Sequence, residues 1–255
     1  MSPSGLQTHL APGYLLHHRP FRETSRILEV FTREHGRLTL FARGVRGPKA
    51  KLAALLQPFR LLLLSFRGRG EAPSLTGAEP ASPWQALPAA DLMGAFYLNE
   101  LVLKLTLRHD PHPALFDAYH GTLENLKQGG ALAPALRIFE KRLLAEVGYG
   151  LDLDAESPSG RQIAAEIHYS YHPDHGLVEA SPDAPGAVAG HSLLSLARER
   201  FADAAELDDA RRLLGAALAH CLEGRDLATR AVARSVARGG RAGRAHRDGP
   251  GRTRP

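Results

Sequence analysis

Between Tyr14 and Ala78 the apolar positions recur mostly in short runs and alternations, the pattern of strands. Tyr14 to Arg19, Thr24 to Arg33 and Arg37 to Arg43 are rich in β-branched, aromatic and aliphatic residues. They break at Arg19-Pro20 and His35-Gly36, both turn-forming. Pro58 precedes a fourth expected strand, Phe59 to Arg67, and Gly68-Arg69-Gly70 turns the chain into a weak fifth around Ser74 to Ala78. Between the third and fourth, Lys49 to Gln57 carries Leu52, Leu55 and Leu56 at helical spacing. Three strands, a short helix and two more strands is the order of an OB-fold, a small Greek-key barrel that often binds single strands. An SH3-like barrel is open to the same reading.

Pro73, Pro80, Pro83 and Pro88 mark a linker, and beyond it the period becomes 3.6. Leu98, Leu101, Val102 and Leu105 share a face, while Phe96, Leu103 and Leu107 cover much of the rest, so this helix is expected at the centre of a bundle. Asp110-Pro111 reads as the start of a second helix, striped by Leu115, Phe116, Tyr119, Leu123 and Leu126 and stopped at Gly129-Gly130. A third runs from about Pro134 to Val147. Pro, Gly, Asp and Ser accumulate from Tyr149 to Gly190, with a small hairpin at Tyr169 to Tyr171 and Gly176 to Glu179. Helices resume at Ser192 to Phe201, Leu207 to Leu222 and Asp226 to Arg238. The expected class is therefore α+β. An N-terminal OB-fold β-barrel over residues 1–80 is followed by a mainly helical domain over 81–238 with a small irregular insert at about 149–190. A disordered Gly/Arg-rich tail over 239–255 completes the expectation.

Composition changes this picture little until the charge is divided. Of 255 residues, 44% are hydrophobic and 23% charged, as in an ordinary globular protein. The longest uninterrupted leucine run, Leu61 to Leu64, falls far short of the roughly 20 apolar residues that span a bilayer. The N-terminus lacks the basic head and apolar core of a signal peptide, and the single cysteine excludes an internal disulfide, so a cytoplasmic protein with no membrane partner is expected. The net charge of +5 hides +7 over residues 1–80, −1 over 81–150, −8 over 151–224 and +7 over 225–255. Two basic ends around an acidic middle point to a polyanion, most commonly nucleic acid. Arginine scattered by composition is the plainer reading.

The third strand carries the most chemistry. Its alternation puts Leu38, Leu40 and Ala42 on one face and Arg37, Thr39, Phe41 and Arg43 on the other. Cations beside a ring suit phosphates and a stacked base, although a solvated face with one surface Phe would read the same. Arg46, Lys49 and Lys51 extend the positive edge. Arg230, Arg234 and Arg238 recur every four residues near one helix face, and Arg241, Arg244, Arg247, Arg252 and Arg254 follow in a Gly/Pro context. On the expected bundle, Lys104 with Arg108 and Arg137 with Lys141 form i, i+4 basic pairs next to apolar residues. They would suit an acidic peptide with a hydrophobic tip, or be ordinary solvated faces.

Catalytic patterns are poor: there is no G-x-x-x-x-G-K-[ST], G-x-S-x-G or H-E-x-x-H. Asp208 and Asp209 read as carboxylates at a helix start. Cys221 reads as a small buried hydrophobe, since its neighbour His220 points about 100° away on a helix. His168, His172 and His175 lack a fourth ligand, and Pro173 and Gly176 argue against the helix that would align two of them, so no metal or other cofactor is expected. The protein is expected not to be an enzyme.

Several stretches together resemble one family. They are GYLLHHRPFRETSRILEVFTREHGRLTLFARGVRG from Gly13, LLQPFRLLLLSFRGRGE from Leu55 and LTGAE from Leu75, then AFYLNELVLKL from Ala95, HDPHPALFDAY from His109 and LRIFEKRLLAEVGYGLDLD from Leu136. In order and spacing they are similar to the bacterial RecO family of DNA repair and recombination mediators, with a looser likeness onward to Arg238. The resemblance implies an N-terminal OB-fold, a helical domain and an insert that in some members is a four-cysteine zinc module. It implies binding to single- and double-stranded DNA, strand annealing without ATP, and loading of RecA with RecR onto strands coated by SSB. It also implies nucleoid association and docking of the acidic C-terminal tail of SSB on the helical domain, for which Lys104, Arg108, Arg137 and Lys141 are the candidates. The residues that match the family's basic barrel surface are Arg19, Arg37, Arg43, Arg46, Lys49 and Lys51, with Arg67 and Arg69 beside them. With no cysteine between Tyr149 and Gly190, the zinc module is expected to be absent or metal-free. An RNA-binding OB-fold protein is the alternative reading.

Overall fold

The computed structural model describes residues 6–45, 51–68, 70–157, 159–229 and 232, with Leu6 and Lys51 described by backbone alone. The N-terminal part contains β1 (Leu6–Phe21), β2 (Ser25–Thr32), β3 (Gly36–Ala42), the short α1 (Lys51–Leu55), β4 (Leu61–Gly68) and β5 (Ser74–Pro80). The strands follow the order β1-β2-β3-β5-β4, and β4 returns to pair with β1. Neighbours are antiparallel except β3 and β5, which meet through one parallel pair, Phe41 with Ser74. This is the five-stranded Greek-key arrangement of an OB-fold. Strand β1 starts well before Tyr14 because it serves two partners: Leu6 to Tyr14 pair with β4 and Gly13 to Phe21 with β2. Irregular register between Thr8 and Ala11 breaks the period-2 signal over its first half. Leu15, Leu28, Val30, Leu38, Leu40, Leu62, Leu64 and Phe66 fill the interior.

The second part contains α2 (Leu92–Leu105), α3 (Pro113–Lys127), α4 (Leu132–Glu146), α5 (Gly190–Ala197) and α6 (Ala204–Cys221). Helix α2 buries Tyr97, Leu98, Leu101 and Val102 in the core that the other helices share. Helices α4 and α5 each start two residues earlier than expected, and the starts of α3 and α6 differ for visible reasons. Helix α3 begins at Pro113, with His112 in the cap position, and not at Asp110-Pro111. The residue before a proline is disfavoured in the α region, and His112 sits outside it at φ −126° and ψ 75°, so the helix starts at Pro113. Helix α6 begins at Ala204, where the Asp203 carboxylate accepts from the Glu206 N–H at 2.9 Å and Glu206 reaches back to the Ala202 N–H at 2.7 Å. Asp208 and Asp209 therefore lie past the helix start. Asp209 accepts from the Ala189 N–H and the Ser192 hydroxyl, tying α6 to α5.

The insert is a small sheet of order β7-β6-β8, from β6 (His168–His172), β7 (Gly176–Ala180) and β8 (Val188–Ala189). The buried Glu156 carboxylate ties the preceding loop to β7, accepting from the Glu179 N–H, the Arg161 guanidinium and the Ser159 hydroxyl.

The two parts share a seam. Tyr14, Leu16, Phe31 and Phe59 leave the barrel to join the helical core. The Tyr14 ring meets the edge of Tyr119 at 5.0 Å, and its hydroxyl lies 2.6 Å from His120 Nδ1. Burial, with the Glu124 charge, pushes the Tyr14 phenol far above its ordinary value, so it stays a neutral hydrogen-bonding group. Gly36 sits at φ +65°, and a Cβ there would stand 1.9 Å from the Asp110 carbonyl oxygen. Only glycine lets the β2–β3 turn approach the helices this closely.

Candidate nucleic-acid interface

The register of the barrel collects the outward side chains into rows. One row runs Arg19–Ile27–Phe41–Ser74–Arg67–Gln7 around one end of the barrel, and none of it belongs to the core shared with α2 to α6. Directly paired residues point to the same side of a sheet, and none of these six is buried. At this end, Arg43 lies with its guanidinium carbon 5.5 Å from the Phe41 ring centroid. Phe41 meets Phe21 edge-on at 5.3 Å, and Arg22 stands 5.3 Å over the Phe21 ring. Two rings, each with its own arginine, thus form one cationic stacking surface. Arg67 adds charge where β4 enters the β4–β5 loop, one of the loops by which OB-folds hold oligonucleotides.

Phe21 and Arg22 escaped the sequence reading. Phe21 ends β1 and Arg22 follows it in the turn, both past the break at Arg19-Pro20, and only the folded barrel brings Phe21 against Phe41. His18 precedes Arg19 on β1 and pairs with Leu28. Burial first, then Arg26 and His17, hold its imidazole below the ordinary value.

The opposite end of the same face is closed. Arg37 shares an outward row with Phe31 and Tyr14, and that row packs against the helices. Its side chain is 13% exposed. It donates to the Thr106 carbonyl at 2.8 Å and to Glu29 at 3.3 Å. Burial lowers the Arg37 pKa, with Glu29 opposing and Arg108 adding to the fall. Arg108 donates to the other Glu29 oxygen at 2.8 Å, and the Thr39 hydroxyl donates to that oxygen at 2.8 Å. The face that alternation draws as one surface is therefore divided: Phe41 and Arg43 look outward, while Arg37 ties the barrel to the helices. Among the remaining expected contacts, Arg46, Lys49, Arg69, Arg230, Arg234 and Arg238 lie outside the described residues, as does the Lys51 side chain.

The four basic residues of the helical part do not come together. Lys104 donates to the Asp226 carbonyl and pairs with Glu100, and Arg108 pairs with Glu29 across the seam. Lys141 caps the end of α5 through the Leu196 and Ala197 carbonyls and pairs with Glu199. Arg137 alone lines a cavity of about 620 Å³ with Met93, Tyr97, Leu132 and Leu136. Arg211 and Arg212 of α6 line it too. The three arginines on the rim of this apolar cleft are each paired with a carboxylate: Arg137 with Glu140, Arg211 with Asp208 and Arg212 with Asp209.

His168 and His172 lie at opposite ends of β6, roughly 14 Å apart at about 3.4 Å per residue, so one ion cannot take both. No group of three metal-ligating side chains converges among the described residues, and no helix among them is long and apolar enough to cross a membrane. Cys221 is buried, and burial raises its thiol pKa, the mark of an inert cysteine.

Comparison with known proteins gives one answer from both halves. The family model described as Recombination protein O N terminal matches residues 6–84, and that described as Recombination protein O C terminal matches residues 89–231. The DNA repair protein RecO of Nitrosococcus oceani is 46% identical over 237 residues, covering 92% of this chain and 96% of the relative. That of Methylococcus capsulatus is 46% identical over 222 residues, 87% and 91% of the two chains. That of Alkalilimnicola ehrlichii is 43% identical over 243 residues, 94% and 96%.

Proposed function

The chain belongs to the RecO family, and from that premise we propose that it is a non-catalytic mediator of DNA repair and recombination whose barrel holds single- and double-stranded DNA. The observation that carries this reading is the open barrel end, where Phe21 and Phe41 are each covered by an arginine and Arg19 and Arg67 stand on the same row. Arginines neutralise phosphates whatever the sequence, while aromatic rings, half-buried here, are what unpaired bases stack on. A surface that grips backbone and stacks bases can bring two strands together and let them pair. That is annealing without ATP, and it needs no catalytic group.

The cleft beside Arg137, Arg211 and Arg212 supports docking of the acidic SSB tail, which would bring the barrel to strands that SSB already coats. RecR and the loading of RecA, together with a place in the cytoplasm at the nucleoid, follow from the family resemblance.

Complementary oligonucleotides coated with SSB test the reading directly. The protein should accelerate their annealing with no nucleotide present and without strand cleavage. Failure to anneal bare or coated DNA, or a strong preference for the same sequence as RNA, would turn the reading toward an RNA-binding barrel.

A further inference from the structure

We propose that Glu29 fills a latent phosphate site at the seam, formed by Arg37, Arg108 and Thr39, and that a DNA backbone phosphate is the ligand it excludes. The carboxylate accepts from two guanidinium groups and one hydroxyl: Arg37 at 3.3 Å, Arg108 at 2.8 Å and Thr39 at 2.8 Å. Convergent guanidinium and hydroxyl donors are what an anionic phosphate oxygen takes. Glu29 and Arg37 are nearly enclosed, with side chains 15% and 13% exposed, but Arg108 is 51% exposed, so the cluster opens to solvent on that side.

Its position matters as much as its donors. Thr39 lies two residues before Phe41 on β3, about 6.8 Å along the strand, and both point outward. A nucleic-acid strand laid on Phe41 and running along β3 meets this cluster next. With Glu29 in place, its carboxylate takes the Arg108 guanidinium and the Thr39 hydroxyl that a phosphate oxygen would use. The carboxylate thereby ends the binding surface at Phe41 and spends the two arginines on holding barrel to helices. The inference rests on the reading that this face binds DNA.

Glu29→Gln tests it by removing one charge while keeping the shape. Affinity for a single-stranded oligonucleotide should rise on the order of tenfold. The plot of log K against log salt should steepen by about 0.7, the contribution of one added phosphate contact. Adding Arg108→Ala to Glu29→Gln should cancel both gains. An unchanged slope in a folded Glu29→Gln protein overturns the proposal. So does Arg108→Ala alone if it flattens the wild-type slope by about 0.7, because Arg108 would then already hold a phosphate; this second variant leaves Glu29 in place and decides the matter even where Glu29→Gln fails to fold. A wild-type protein whose binding has no salt dependence refutes the underlying reading instead.

Discussion

Phe41 and Arg37 stand four residues apart on the same strand, and their neighbours give them opposite tasks. Phe41 is half-buried, flanked by Phe21 and Arg43 at the open end. Phe41→Ala should cost on the order of 1 kcal/mol of single-strand affinity with an intact salt slope, because a stacked ring carries no charge. A fluorescence titration at several salt concentrations reads both quantities. Arg37 donates to Thr106 and Glu29 at the seam, so truncating it should weaken the fold and leave the salt slope as it was. Alternation alone placed both residues on the outward face, and that was legible. Which stretch of the face the helices would cover was not, because it depends on the Arg37 carbonyl accepting from the His109 N–H, a contact across more than seventy residues. Gly36 belongs to the same contact. Gly36→Ala should destabilise the protein by more than about 1 kcal/mol in urea unfolding, since the methyl meets the Asp110 carbonyl and the backbone is left-handed.

The elements themselves were read well wherever one face is buried and poorly where something other than burial sets the boundary. Strands β2 and β3 follow the alternation of Leu28, Val30, Leu38 and Leu40. The first half of β1 has mixed polar residues and an irregular register, so its hydrogen bonding to β4 left no clean pattern. Helix α3 was set by the conformational limit on His112, which outweighed the capping signal of Asp110. The segment after α6 shows a different control. The Glu100 carboxylate of α2 accepts from the Ala228 N–H at 2.7 Å and from the Thr229 N–H and hydroxyl at 2.9 and 2.6 Å. Burial would raise its pKa, but these bonds and Lys104 outweigh that and bring it below the ordinary carboxylate range. A depressed folded pKa stabilises above the unfolded value, about 4.3, and that stabilisation fades as pH falls through the folded value. Glu100→Gln should therefore melt at a lower temperature than the wild type at pH 7, with the gap closing as pH falls toward 3. A gap that stays constant across thermal melts from pH 7 to 3 would separate Glu100 from this anchoring.

The whole molecule is a barrel and a helical body joined so that one barrel end is shut and the other left open. The charge distribution announced basic ends but not this geometry, since it could not tell which arginines would be spent on carboxylates. Of the four basic residues read as one patch on the helices, only Arg137 reaches the arginine-rimmed cleft, and its neighbours Arg211 and Arg212 come from a helix more than seventy residues later. A peptide with an acidic, Phe-ended tail should bind there. Reversing the charge of Arg137, Arg211 and Arg212 should abolish binding in a calorimetric titration, and reversing Lys141 should not, as it caps α5. Equal losses at both places would move the peptide site elsewhere.

The salt dependence of single-strand binding tests the open barrel end most directly. If about five phosphates are neutralised, log K should fall against log salt with a slope of roughly −3.5. Alanine at Arg19, Arg43 and Arg67 together should flatten that slope by about two units, since each phosphate contact contributes about 0.7. A triple variant that keeps both the wild-type slope and the wild-type affinity would contradict the account and remove the barrel end from the DNA-binding surface.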